Sequence, residues 1–264
     1  MRSEVVPLRP LTLAEILDAA VELLRRHAAR LVGLGAALAV GEQALLYPLR
    51  GVAAVSPPLY WPHLNRLAAY WLLLALGLGT EDGIIAVLGG IAARRLAPGP
   101  RRLGGLTVLA VVVALGGALT AAAGFLPWII WYVFTGLAAP ALVIEHRGPL
   151  SALGRSFALV GRGGLRPGAI RLLGYLAWWT IRLALAAGGY AALQLTGQLS
   201  GGVALRMAGV LAWVLVNTVA YAVLGCLDAV LHLETRMRVE GLDLALGRAA
   251  RRGIPAEQIL VGRR

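Results

Sequence analysis

A chain of 264 residues that is 59% hydrophobic and 14% charged, where soluble domains carry ~25% charged residues, has too little polar surface to cover itself in water. Its mean hydropathy of +0.75 comes from apolar blocks of about twenty residues, the length that crosses ~30 Å of hydrocarbon at ~1.5 Å per residue. The net charge of +12 sits beside those blocks rather than on a polar folded face, which argues for membrane topology and against nucleic acid.

The start, MRSEVVPLRPLTLAEIL, has acids and prolines where a signal peptide needs an apolar run. Insertion is therefore expected to rely on the first span. After the short arm, Thr12 and Glu15 read as a capping box opening an amphipathic helix. Leu13, Ile16, Leu17, Ala20, Leu23 and Leu24 share one face, and Glu15, Asp18, Glu22, Arg25 and Arg26 the other, acids first and bases last. This helix is expected either to lie at the membrane surface or to pack on cytosolic loops of the same chain.

Six spans follow: about 31–49, 67–93, 103–125, 128–144, 170–195 and 203–231. The connection SPPLYWPHLN places Tyr60 and Trp61 where an interfacial aromatic belt belongs. Span two is interrupted in sequence by Thr80-Glu81-Asp82-Gly83. It closes on Arg94, Arg95, Arg101 and Arg102. Spans five and six are joined by the polar turn QLTGQLSGG. The domain organisation is thus a cytosolic arm with its helix over 1–30, a six-span domain over 31–233 with a basic loop at 145–169, and a charged tail over 234–264.

All 25 Lys+Arg residues are arginine, a bias expected of a GC-rich genome. Nearly all lie in the arm, the loops after spans two and four, and the tail. The opposite side holds little beyond Arg50, Arg66 and Arg206. The positive-inside rule then predicts both termini in the cytoplasm. The fold class is all-α, a polytopic helical membrane bundle.

Three stretches carry a resemblance. The first is Arg9-Pro10-Leu11 through Glu15-Ile16-Leu17-Asp18 to Arg25-Arg26-His27. The second contains Ala139-Pro140-Ala141, Glu145, Gly148-Pro149-Leu150, Arg155-Ser156 and Leu159-Val160. The third contains Glu234, Arg236, Arg238, Glu240-Gly241 and Asp243-Leu244. Together they resemble uncharacterised bacterial integral membrane proteins, grouped with the membrane domain attached to some glycerophosphoryl diester phosphodiesterases. Glu234 stands where that pattern has Asp. The resemblance implies a fold and a bacterial cytoplasmic-membrane location, not a reaction, and marks Glu145, Ser156, Glu240, Gly241 and Asp243 as structural motif residues.

His146-Arg147-Gly148 matches the letters that open the phosphodiesterase active site. That chemistry needs metal-binding carboxylates on a barrel of ~250 residues, for which this chain has no room. The lone Cys226 excludes an internal disulfide and a Cys/His metal cluster, and no Walker loop, Ser-His-Asp set or CxxC occurs. The reading is non-enzymatic, without cofactor or metal.

Two constellations remain. Glu42, Glu81, Asp82 and Arg182 form a candidate intramembrane polar cluster, with Arg182 the expected partner of the acid pair by depth. Ionised groups there cost ~3 kcal/mol or more unless partnered. It could act as an ion or proton relay, or Thr80 could cap a broken helix as in transporters. The favoured expectation for Glu81 and Asp82 is nevertheless a wet position at the interface. Arg155, Arg162, Arg166, Arg236 and Arg238 form a basic cytoplasmic face suited to anionic lipid or a partner membrane protein. The leading functional expectation is therefore a scaffold or accessory subunit, and the alternative a small transporter or lipid-handling protein using the intramembrane cluster.

Overall fold

The computed structural model describes residues 7, 9–56, 61–97, 103–195 and 202–261; Tyr60, Arg101, Arg102 and most of the QLTGQLSGG turn lie outside them. Its helices are α1 (Leu13–Arg26), α2 (Ala28–Ala53), α3 (Leu67–Leu96), α4 (Leu103–Ala123), α5 (Phe125–Thr135), α6 (Ala138–Ile144), α7 (Pro149–Arg162), α8 (Arg166–Leu195), α9 (Gly202–Glu240), α10 (Leu242–Arg251) and α11 (Ala256–Leu260). Six helical segments are long and apolar enough to cross a membrane: Ala28–Ala53, Leu64–Leu96, Leu103–Ala123, Phe125–Ile144, Arg166–Gly189 and Arg206–Glu240. The chain is a polytopic helical membrane protein.

Helix α3 is the axis of the bundle, packed by α2, α4, α6 and α9. Close approach comes from small residues. A Cβ on Gly79 would meet Ala118 of α4, and one on Gly225 would meet the backbone of Leu88 and Gly89, so the helices touch nearly backbone to backbone. Leu115 and Leu119 of α4 and Leu45 and Tyr47 of α2 face outward, as expected of surfaces solvated by lipid.

Thr12 caps α1 through the reciprocal box with Glu15: the Glu15 N–H donates to Thr12 Oγ1 at 3.4 Å, and the Thr12 N–H donates to Glu15 Oε2 at 2.8 Å. Ile16, Ala19, Ala20 and Leu23 are buried, and α1 packs on α9. Leu13, Leu17 and Val21 form a second, exposed stripe. The helix therefore docks on a span of its own chain while leaving one apolar edge outward.

The structure corrects three sequence expectations. Helix α3 runs unbroken through Thr80, whose hydroxyl donates to the Leu76 carbonyl at 2.7 Å instead of capping a new helix. Span four divides into α5 and α6 at Gly136–Leu137. Pro140 has no N–H to give the Gly136 carbonyl, so the ladder fails one turn earlier. Span six does not stop near Leu231: α9 continues to Glu240, and Glu234, Thr235 and Arg236 are buried. Glu234 pairs with Arg166 of α8 and Arg236 donates to the Leu260 carbonyl of α11, protein contacts that let the helix continue where hydropathy falls.

Candidate functional site

Glu81 and Asp82 are the fifteenth and sixteenth of the thirty residues of α3, so they sit midway along a helix about 45 Å long. They are enclosed by protein, with Asp82 0% and Glu81 9% exposed. The expectation that these acids are wet is overturned. Neighbouring helices supply polar partners at this depth, and adjacent residues on a helix point about 100° apart, so the two carboxylates serve different clusters.

The first cluster joins four helices. Arg182 Nη1 of α8 donates to Glu81 Oε1 at 2.6 Å, and the Tyr175 hydroxyl, also of α8, donates to Glu81 Oε2 at 2.8 Å. From α9, the Tyr221 hydroxyl lies 3.0 Å from Glu81 Oε1 and 2.8 Å from Glu42 Oε2 of α2. Asn217 Nδ2 donates to the Tyr221 oxygen at 2.9 Å and to Glu42 Oε2 at 3.2 Å. Glu42, Glu81 and Arg182 are thus brought together, with Arg182 the partner of Glu81 as depth suggested. Asp82 stands apart from them.

Asp82 belongs to a second cluster with α5. The Trp128 indole N–H donates to Asp82 Oδ2 at 3.2 Å. A Cβ on Gly117 of α4 would collide with the same carboxylate, so that glycine makes its room. Nearer the start of α8, Arg171 Nε donates to Asp228 Oδ1 of α9 at 2.8 Å. Its Nη1 donates to the Tyr132 carbonyl, and its Cζ lies 3.6 Å from the Tyr132 ring centroid. The Thr135 hydroxyl also donates to that carbonyl, at 3.4 Å. Gly136 leaves space for the guanidinium, which a Cβ there would strike.

Together the clusters hold four buried carboxylates, Glu42, Glu81, Asp82 and Asp228, and two arginines, Arg171 and Arg182. Each arginine pairs with one carboxylate. Glu42 and Asp82 have only neutral donors among the described residues. Ionising all four would leave two uncompensated charges in a low-dielectric interior, which is strongly unfavourable.

The end of the bundle that carries the termini holds a separate tier of ion pairs. Glu145, just after α6, accepts from Arg147 Nε at 2.8 Å and Arg155 Nε at 2.9 Å, with His232 Nε2 at 3.3 Å and Arg236 Nε at 3.7 Å. Burial alone would raise its carboxyl, but His232, Arg236 and Arg147 outweigh burial and hold it well below the usual carboxylate range. Glu240 joins Arg155 at 2.6 Å and Arg236 at 3.2 Å. Glu234 takes Arg166 at 2.8 Å and Arg238 at 2.9 Å, and both arginines also donate to the Leu11 carbonyl. Arg236 Nη1 reaches the Leu260 carbonyl at 2.7 Å. Of the five arginines of the expected basic face, Arg155, Arg166, Arg236 and Arg238 thus tie this chain's own segments together, and Arg162 is exposed with no such pair among the described residues.

The motif residues have structural places. The Ser156 hydroxyl accepts from the Leu137 N–H at 3.1 Å and donates to the Phe134 carbonyl at 2.6 Å, repairing the break between α5 and α6. Gly241 has φ +62, a left-handed conformation that turns the chain from α9 into α10. Asp243 lies in the first turn of α10, where a negative charge suits the helix dipole.

Sequence reasoning missed Tyr175, Tyr221, Asn217, Trp128 and the depth of Arg171. A signal was present. Arg171, Tyr175, Trp178 and Arg182 recur at helical spacing along α8, as do Asn217, Tyr221 and Asp228 along α9, giving each span one polar stripe in an apolar helix. Among the described residues no group of three His, Cys, Asp or Glu side chains could hold a metal ion. No family model, curated protein or solved structure matches this chain.

Proposed function

We propose that this chain is a small, non-enzymatic, proton-coupled transport protein of a bacterial cytoplasmic membrane, with both termini on the cytoplasmic side. The carrying observation is the Glu42–Tyr221–Glu81 bridge. Tyr221 has one hydroxyl proton and lies within hydrogen-bonding distance of both carboxyls, so one carboxyl must itself bring a proton for both contacts to be hydrogen bonds. A proton shared across three helices, with Arg182 holding the counter-charge, is the chemistry a relay requires. The resemblance to membrane domains of glycerophosphoryl diester phosphodiesterases agrees with this location and is neutral on transport.

The test is proton flux in liposomes containing the purified protein and an internal pH dye, under an imposed pH gradient. Glu42→Gln and Glu81→Gln should each lower flux about a hundredfold, the usual weight of a positioned proton-transfer group, with helical content unchanged. Wild-type flux no greater than that of empty liposomes would sink the reading.

The scaffold or accessory-subunit reading draws on a different feature. Arg162, Arg248, Arg251 and Arg252 are exposed at the end carrying the termini, where they suit anionic lipid or an acidic partner protein. A second polypeptide retained in stoichiometric amount after gentle release from native membranes would favour it.

A further inference from the structure

At the end of the bundle opposite the termini, the last turns of α2 and the first turns of α9 enclose a cleft of about 230 Å³. Its walls are apolar, with Tyr47 and Val55 on one side and Met207 and Val210 on the other. Arg50 and Arg206 are among its lining residues. They are among the few arginines that the charge pattern places on this side, where topology gives no reason for them. Arg50 is 8% exposed and its Nη2 donates to Gln43 Oε1 at 2.6 Å, an anchor that fixes its position. Arg206 is exposed and has no carboxylate within ion-pair distance among the described residues.

We infer that this cleft binds the phosphate headgroup of an anionic membrane lipid, with its acyl chains lying outside along α2 and α9. Two arginines lining one recess fit a phosphate, whose oxygens accept the paired N–H groups of a guanidinium fork. The volume is below the ~300–1,000 Å³ of sites that enclose a drug-sized molecule, so it suits a headgroup and not an entire lipid. The surfaces flanking it are those a lipid chain needs: Val52, Met207 and Leu211 are exposed and apolar. The inference does not depend on proton transport, because none of the cleft residues belongs to the carboxylate clusters.

The test is native mass spectrometry of the full chain, released from nanodiscs of equimolar phosphatidylglycerol and phosphatidylcholine. Phosphatidylglycerol should be retained in preference. Arg206→Gln should reduce that retention about fivefold, the worth of one cation beside an anionic headgroup, and Gly33→Ala, at an open position elsewhere on α2, should not. Val210→Trp, which fills the cleft without touching a charge, should also abolish retention and covers the case in which Arg206→Gln misfolds. Equal retention of both lipids, or retention indifferent to both cleft variants, would overturn the inference. Displacement of the lipid by millimolar inorganic phosphate would overturn the lipid assignment in favour of free phosphate.

Discussion

The Tyr221 hydroxyl and the Glu42 carboxylate, from α9 and α2, lie 2.8 Å apart while the same hydroxyl stands 3.0 Å from Glu81. Because Asn217 also donates to the Tyr221 oxygen, that oxygen can accept one further proton, and a protonated carboxyl supplies it. Difference infrared spectra across an alkaline titration should therefore show a protonated-carboxyl band that Glu42→Gln removes. Tyr221→Phe should keep the fold but separate the two carboxyls and shift that band. A spectrum without any protonated carboxyl in the wild type would contradict the shared proton.

The same logic of buried polar groups applies at the α5–α6 break. Ser156 serves one N–H and one C=O at the α5–α6 break, those of Leu137 and Phe134. Ser156→Ala should lower stability by about 1–3 kcal/mol, the cost of leaving buried backbone groups unsatisfied. Ser156→Thr should recover part of it. Unfolding followed by tryptophan fluorescence checks this, since Trp128 and Trp131 are in α5. An Ala variant as stable as the wild type would mean that another group closes the break.

Gly33 and Gly35 are two residues apart on α2 and look equivalent in sequence, yet their surroundings differ. A Cβ on Gly35 would lie 2.9 Å from the Thr218 carbonyl oxygen of α9, whereas one on Gly33 meets nothing within 4 Å. Gly35→Ala should push α2 from α9 and destabilise by about 1–3 kcal/mol, as overpacking does. Gly33→Ala should be neutral or slightly stabilising, since alanine is the better helix former by about 1 kcal/mol. Thermal unfolding in detergent distinguishes the pair, and equal effects would show that α2 and α9 do not pack this closely.

The helices were legible because hydropathy and helix caps are local: six apolar segments, the Thr12–Glu15 box and arginine-flanked ends can each be read within one stretch of chain. Partner choice was not. Glu81 and Asp82 are adjacent, and a reading confined to their own helix makes two neighbouring acids at mid-depth look doubly costly. The cost falls because Tyr175 and Arg182 on α8, and Trp128 on α5, arrive from elsewhere in the chain. The arginines near the termini illustrate the opposite effect. Their number reports topology, but whether each faces lipid depends on Glu145, Glu234 and Glu240, whose positions emerge only when α7, α8 and α9 pack.

The start of α1 offers a pH test that lies outside the membrane. Arg9 first, and then the Thr12 N–H, hold the Glu15 carboxyl down to about 2 from an ordinary 4.5. A depressed folded value means that the cap's contribution is complete above about pH 4.5 and is lost as pH falls towards 2. Glu15→Gln removes the charge at every pH, so the stability difference between wild type and variant should be present at pH 6 and shrink towards zero at the acid end. Fraying should stay confined to the first turn, because Arg166 and Arg238 continue to hold the Leu11 carbonyl. Amide exchange of α1 in both proteins, compared pH by pH, measures this. A difference that grows on acidification would mean that Glu15 is stabilised in its protonated form and that the box is not what holds the helix start.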